Sequence, residues 1–145
     1  FSATPARHAA LLDTTSLAMP VELFGAAWAG LPFVPLNYRL TGAELEALLS
    51  RIEPAYLVCE SERETSLQDR SGIVAVARNR FLESVAHGNG TGGEWPMEGE
   101  DIAVLLFTSG TTGAPKAAVL RHKHLVSYIL GSVEFGAADE NDAAW

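Results

Sequence analysis

The stretch Phe-Thr-Ser-Gly-Thr-Thr-Gly-Ala-Pro-Lys-Ala, residues 107 to 117, sets four hydroxyl side chains, two glycines, a proline and a lysine directly behind an apolar run. Gly110 and Gly113 permit backbone angles that gather consecutive amides on one concave side. Thr108, Ser109, Thr111 and Thr112 add hydroxyl donors without bulk. A ring of neutral donors plus one flexible ammonium suits a polyphosphate, because phosphate oxygens accept many hydrogen bonds and the lysine neutralises charge. Pro115 stiffens the exit and limits how far Lys116 can wander. A polar surface turn would account for the glycines and hydroxyls, but not for a lysine at this offset behind a buried strand. The loop is not a Walker A motif, since the lysine stands three residues after the second glycine and Ala117 follows it. Gly25 to Gly30 has the Walker glycine spacing, with Leu31 where the lysine should be.

Charge singles out the same region. The chain carries a formal −8, yet no Asp or Glu falls between Ile102 and Val133, where Lys116, Arg121 and Lys123 stand. An acid-free, lysine-bearing segment in an acidic protein attracts a compact anion. The acidic total, with no basic stripe, excludes a nucleic-acid surface of the usual kind. Arg121, His122, Lys123 and His124 crowd an expected helix N-terminus, where the macrodipole disfavours cations. Either a bound anion offsets that repulsion or long solvated side chains tolerate it.

The elements that must position this loop can be read around it. Ile102 to Phe107 is a continuous apolar run, expected as a strand buried on both faces. Ala117 to Leu120 can return as a second strand, and from about His122 the residues Val126, Ile129, Leu130 and Val133 take helical spacing. Upstream, His8 to Leu12 reads as an opening strand. A helix over about Pro20 to Ala29 carries Glu22 in its first turn and stops at Gly30. Phe33 to Leu36 is extended. Thr41 and Glu44 have the reciprocal spacing of a capping box, opening a helix with Leu45, Leu48, Leu49 and Ile52 on one face that must end before Pro54. Ala55 to Cys59 and Ile73 to Ala77 read as strands flanking a polar loop from Glu60 to Ser71, and residues 78 to 86 as a short helix. Strands and helices thus alternate around a largely parallel α/β sheet.

Other features carry less. Gly88, Gly90 and Gly93 satisfy G-x-G-x-x-G, but inside a glycine-rich, acidic stretch with no strand leading in and Glu94-Trp-Pro leading out. Asn89-Gly-Thr91 matches a glycosylation sequon, irrelevant without a secretion signal. Cys59, the single cysteine, reads as a buried small hydrophobe. No apolar run approaches a membrane span and no leader opens the chain, so the default expectation is cytoplasmic. Phe1 in place of Met, and a last stretch that looks like the approach to another strand, suggest a piece of a larger protein.

Thr-Ser-Gly-Thr-Thr-Gly-Ala-Pro-Lys, 108 to 116, resembles the phosphate-binding signature of the adenylate-forming (AMP-binding) superfamily, which includes acyl-CoA synthetases, luciferases and peptide-synthetase adenylation domains. Gly25-Ala-Ala-Trp-Ala-Gly-Leu-Pro-Phe-Val-Pro-Leu-Asn-Tyr-Arg-Leu-Thr41 resembles that family's upstream segment. The resemblance implies the N-terminal part of an acyl-CoA synthetase. Such an enzyme activates a carboxylic acid, a fatty acid foremost, with ATP and magnesium to an acyl-adenylate, then passes the acyl group to coenzyme A. A luciferase-like or peptide-synthetase adenylation enzyme is the alternative, and a non-catalytic anion-binding fold element is the third reading. By the resemblance, Thr108, Ser109, Gly110, Thr111, Thr112 and Gly113 line the phosphates and Lys116 reaches their outer oxygens. His122 matches a histidine that often follows, as an accessory position. Ala117 departs from the glycine usual after the lysine. No catalytic residue or metal ligand is assigned in the chain. The family's adenine, ribose, acyl-pocket and lid residues, with its magnesium-coordinating glutamate, are expected beyond Trp145. Residues 1–145 then form a truncated AMP-binding domain, with 102–124 as strand, loop and helix start, inactive alone.

Overall fold

Along β1 (His8–Leu12) Ala9 and Leu11 enter one apolar cluster while Ala10 and Leu12 enter another, the period-two pattern of a strand covered on both sides. The computed structural model describes residues 5–88, 98–108 and 115–132, and the strand belongs to a six-stranded sheet. The remaining elements are α1 (Ala18–Trp28), β2 (Phe33–Pro35), α2 (Gly42–Ile52), β3 (Ala55–Cys59), α3 (Ser61–Leu67), β4 (Ile73–Ala77), α4 (Arg78–Ala86), β5 (Ile102–Thr108), β6 (Lys116–Arg121) and α5 (His122–Ser132). Strand order is β4-β3-β1-β2-β5-β6, with parallel pairing throughout except for β6, which runs antiparallel to β5 at the edge. The expected mixed α/β architecture is therefore present.

Helices cover both faces. On one, Leu45, Leu48, Leu49 and Ile52 of α2 pack over Ala10, Leu12, Val34 and Leu57. On the other, Ala18 and Ala26 of α1 and Phe81 of α4 pack over Ala9, Leu11, Phe33 and Val58. Cys59 lies at 0% exposure within the first cluster, and burial raises its thiol pKa to about 11, consistent with an inert small hydrophobe.

Local chemistry explains the helix ends. The Thr41 amide donates to the Glu44 carboxylate at 2.9 Å while the Glu44 amide donates to the Thr41 hydroxyl at 3.5 Å, so the expected capping box is present. At the end of α1 the Leu31 amide reaches the Ala26 carbonyl (2.9 Å) and the Gly30 amide reaches Ala27 (3.1 Å), with Gly30 at φ 70. That is the Schellman arrangement, which requires a left-handed residue at Gly30.

Three expectations need correction. Residues 61–67 are helical rather than loop: Glu62 and Glu64 favour the N-terminal turn, and Glu64 is buried in an ion pair with Arg80. Helix α1 begins at Ala18, so Pro20 falls at its third position, where the missing N–H would have had no intrahelical partner. Strand β5 is not covered on both faces throughout, because Leu106 is 37% exposed where the sheet nears its β6 edge. Of the G-x-G-x-x-G match, Gly90 and Gly93 lie outside the described residues; Gly88 follows α4, not a strand.

Candidate functional site

The loop lies where β5 hands over to β6. In the antiparallel register Phe107 faces Ala117 and Thr108 faces Lys116, so both ends of the loop meet in one ladder step. The Thr108 hydroxyl donates to the Lys116 carbonyl at 3.4 Å, a long bond. Thr108 and Lys116 are both exposed, at the carboxyl end of β5 and level with the carboxyl ends of the parallel strands, the edge at which α/β sheets hold ligands. Ser109, Gly110, Thr111, Thr112 and Gly113 lie outside the described residues.

Beside the loop foot is a cavity of about 320 Å³, lined by Pro35, Leu36 and Asn37 at the end of β2, by Leu40, Glu44 and Leu48, and by Phe107, Thr108 and Pro115. The fold thus brings Pro-Leu-Asn of the upstream segment together with Thr108 and Pro115, which flank residues 109–114, although they lie far apart in the chain. Glu44 brings a carboxylate to this wall, held below its ordinary pKa by the Thr41 amide and hydroxyl. Among the described residues no three or more His, Cys, Asp or Glu side chains form a group that could hold a metal ion.

His122 stands elsewhere. The register pairs Arg121 with Ile102, at the amino end of β5, and the His122 amide donates to the Asp101 carbonyl at 3.2 Å. At about 3.3 Å per residue the six-residue β6 separates His122 from Lys116 by roughly 20 Å. The cations crowding the start of α5 are answered within the protein: Lys123 Nζ lies 2.6 Å from Glu100 Oε1 and Arg121 Nε 3.9 Å from Glu100 Oε2. The Lys123 hydrogen bond, foremost, lowers the Glu100 pKa. A carboxylate already offsets this cluster, and the positive potential seen in the sequence does not all converge on the loop.

Sequence reasoning missed Arg51. It lies in the last turn of α2, stacks its guanidinium 5.1 Å from the centroid of the Phe107 ring and donates Nη1 to the Pro115 carbonyl. No local signal could have found it, since its partners are 56 and 64 positions on in sequence.

A family model described as "AMP-binding enzyme" matches residues 2–145. The chain belongs to the AMP-binding enzyme family. Among relatives of this family, the feruloyl-CoA synthase of an Amycolatopsis species is 32% identical over 122 residues, covering 81% of this chain and 22% of that protein. Cyclosporin synthetase simA of Tolypocladium inflatum is 29% identical over 121 residues, 83% of this chain and 1% of that protein. The crystal structure of apo MatB from Rhodopseudomonas palustris superposes with a TM-score of 0.77 at 25% identity, covering 86% of this chain and 26% of that one. Its ATP-bound form shares the fold at a TM-score of 0.74 and 24% identity. The chain therefore spans about a quarter or less of each of these proteins. Its sheet matches the N-terminal region of adenylate-forming AMP-binding enzymes, and among the described residues no helix is long and apolar enough to cross a membrane.

Proposed function

We propose that this chain is part of the AMP-binding domain of an acid–thiol ligase, and that residues 108–116 hold the β- and γ-phosphates of ATP. The observation that carries this reading is the meeting of Thr108 and Lys116 in one ladder step at the carboxyl end of β5, beside the cavity walled by Pro35, Leu36 and Asn37. In the proposed first step a substrate carboxylate oxygen attacks the α-phosphorus. The bond from that phosphorus to the oxygen bridging toward the β-phosphate breaks, and pyrophosphate leaves. Charge develops on the departing oxygens, so an ammonium and hydroxyl donors fixed there stabilise the transition state more than the ground state. In the second step a thiol sulfur bonds to the acyl carbon, the carbon–oxygen bond to AMP breaks, and the thiol proton passes to solvent. For this chain the roles are confined to binding and orientation: Thr108 and the loop donors hold phosphate oxygens and Lys116 neutralises them.

Coenzyme A is the proposed acceptor and a fatty or aromatic acid the proposed substrate, a reading supported by likeness to a protein named feruloyl-CoA synthase. A peptide-synthetase adenylation enzyme is the second reading, supported by comparable identity to cyclosporin synthetase. Exchange of labelled pyrophosphate into ATP by the full-length protein, driven by a panel of fatty, aromatic and amino acids, separates the two. Lys116→Ala is expected to lower that exchange by about a hundredfold or more, and an unchanged rate would favour a loop kept only as a fold element. The 145-residue chain alone is expected to make no adenylate.

A further inference from the structure

Strand β5 is weakly attached to the sheet near its carboxyl end. Its register with β2 is the single pair Phe33 and Val104, and β2 ends at Pro35, which has no N–H to extend a ladder toward the loop. Beyond Val104 β5 has no further paired register with β2, and its last residues, Phe107 and Thr108, extend past Pro35. Something else must fix its tip if Thr108 and Lys116 are to stand in a defined place.

Helix α2 supplies a candidate. Glu44, Leu48 and Arg51 fall at helical spacing, and the first two line the 320 Å³ cavity whose other wall includes Phe107, Thr108 and Pro115. At the end of that row the Arg51 guanidinium stacks on Phe107, one residue before Thr108, and donates to the carbonyl of Pro115, one residue before Lys116. One side chain thus holds both arms of the hairpin, by a cation–π contact on one and a charge-assisted hydrogen bond on the other. Its own helix favours it, because a cation in the last turn complements the helix dipole. Lysine could stack or donate as a point charge, but the planar fork of arginine does both from one position.

We propose that Arg51 is a positioning residue that ties the two ends of the phosphate loop to α2, presenting Thr108 and Lys116 in a pre-ordered geometry to the ATP phosphates. The role in ATP use rests on the proposed function above; the tie itself does not. Without the tie, ATP binding must order the hairpin tip, and that ordering appears as weaker apparent affinity.

The test uses the full-length protein with Arg51→Met, which keeps the aliphatic stem, and Arg51→Lys. Without nucleotide, hydrogen exchange of peptides covering 105–108 and 115–118 is expected to quicken in Arg51→Met, to recover in part in Arg51→Lys, and to leave peptides of β1 and β3 unchanged. Unchanged exchange at the hairpin tip, or equal quickening across the sheet, overturns the tie. In pyrophosphate exchange Arg51→Met is expected to raise KM for ATP about tenfold with KM for the acid unmoved, and Arg51→Lys to restore part of it. Altered tip exchange with an unmoved KM for ATP overturns the positioning role while the tie stands. A wild-type protein that exchanges no pyrophosphate with any acid sinks the proposed function, and the hydrogen-exchange arm still decides the tie.

Discussion

Glu22 sits on α1 between Ala18 and Ala26, the three buried residues of that helix, four apart on the line that faces the sheet. Its exposure is 0% and neither carboxylate oxygen has a hydrogen-bond partner. Burial therefore pushes its pKa well above the ordinary 4.5 and favours the neutral acid. Its charge would also oppose ionisation of Tyr56 and Cys59, whose pKa values burial foremost raises. The sign of the stability effect follows. A folded pKa above the unfolded one means that the folded state holds the proton longer, so the contribution of Glu22 is fully present below about pH 4.5 and is lost as pH rises through the folded value. Glu22→Gln removes the titration. The melting temperature of the full-length variant is expected to gain on wild type as pH rises above about 4.5 toward the folded value, and parallel curves would refute this. Glu22→Leu also removes the orphaned polar group, and is expected to stabilise at neutral pH by about 1–3 kcal/mol.

The turn that ends α1 and opens β2 depends on Gly30. Gly30 at φ 70 closes the helix, and any side chain there meets the left-handed penalty. Gly30→Ala is expected to cost about 1 kcal/mol, read as a lower melting temperature, whereas Gly42→Ala, with nothing within 4 Å of the added carbon at the start of α2, is expected to be neutral or slightly stabilising. Equal effects at the two sites would refute the argument. The same contrast shows which elements were legible in the sequence. α2 announced itself through Thr41, Glu44 and a leucine face, and β1, β3 and β4 through short apolar runs, because those signals are local. α3 offered no apolar period, since what it buries is Glu64 against Arg80, a partner from another element. Glu22 read as a first-turn acid marking the helix start, because the sequence does not say which face of α1 turns inward. In the candidate site the loop chemistry was legible residue by residue. Arg51 was not, since its meaning exists only once α2 has packed beside the β5–β6 hairpin. His122 entered only as a match to a histidine that often follows the loop in the family, and the length of β6 carries it to the opposite end of the strand.

The two sides of the sheet differ. Around β1 and β3 strands are flanked on both sides and covered on both faces, and Ala10, Val34, Leu57 and Val58 lie at 0% exposure. At the other edge no residue of α5 is buried, although Val126, Tyr128, Ile129 and Leu130 are 53, 75, 50 and 62% exposed. Phe24 and Trp28 of α1 are 72 and 66% exposed, and between α1 and α5 runs an apolar groove of about 540 Å³ lined by Leu23, Phe24, Leu125, Val126 and Ile129. A monomer rarely leaves so continuous an apolar surface in water, because each square ångström withheld from burial forgoes about 25 cal/mol. The 145-residue chain, expressed by itself, is therefore expected to self-associate through this edge. Size-exclusion chromatography with light scattering should give a mass that rises with concentration, and Ile129→Lys with Leu130→Glu should shift the chain toward monomer, since neither side chain belongs to a buried core. A chain that stays monomeric at high concentration, or a double variant that associates as wild type does, would show that the α1–α5 edge is not the adhesive surface.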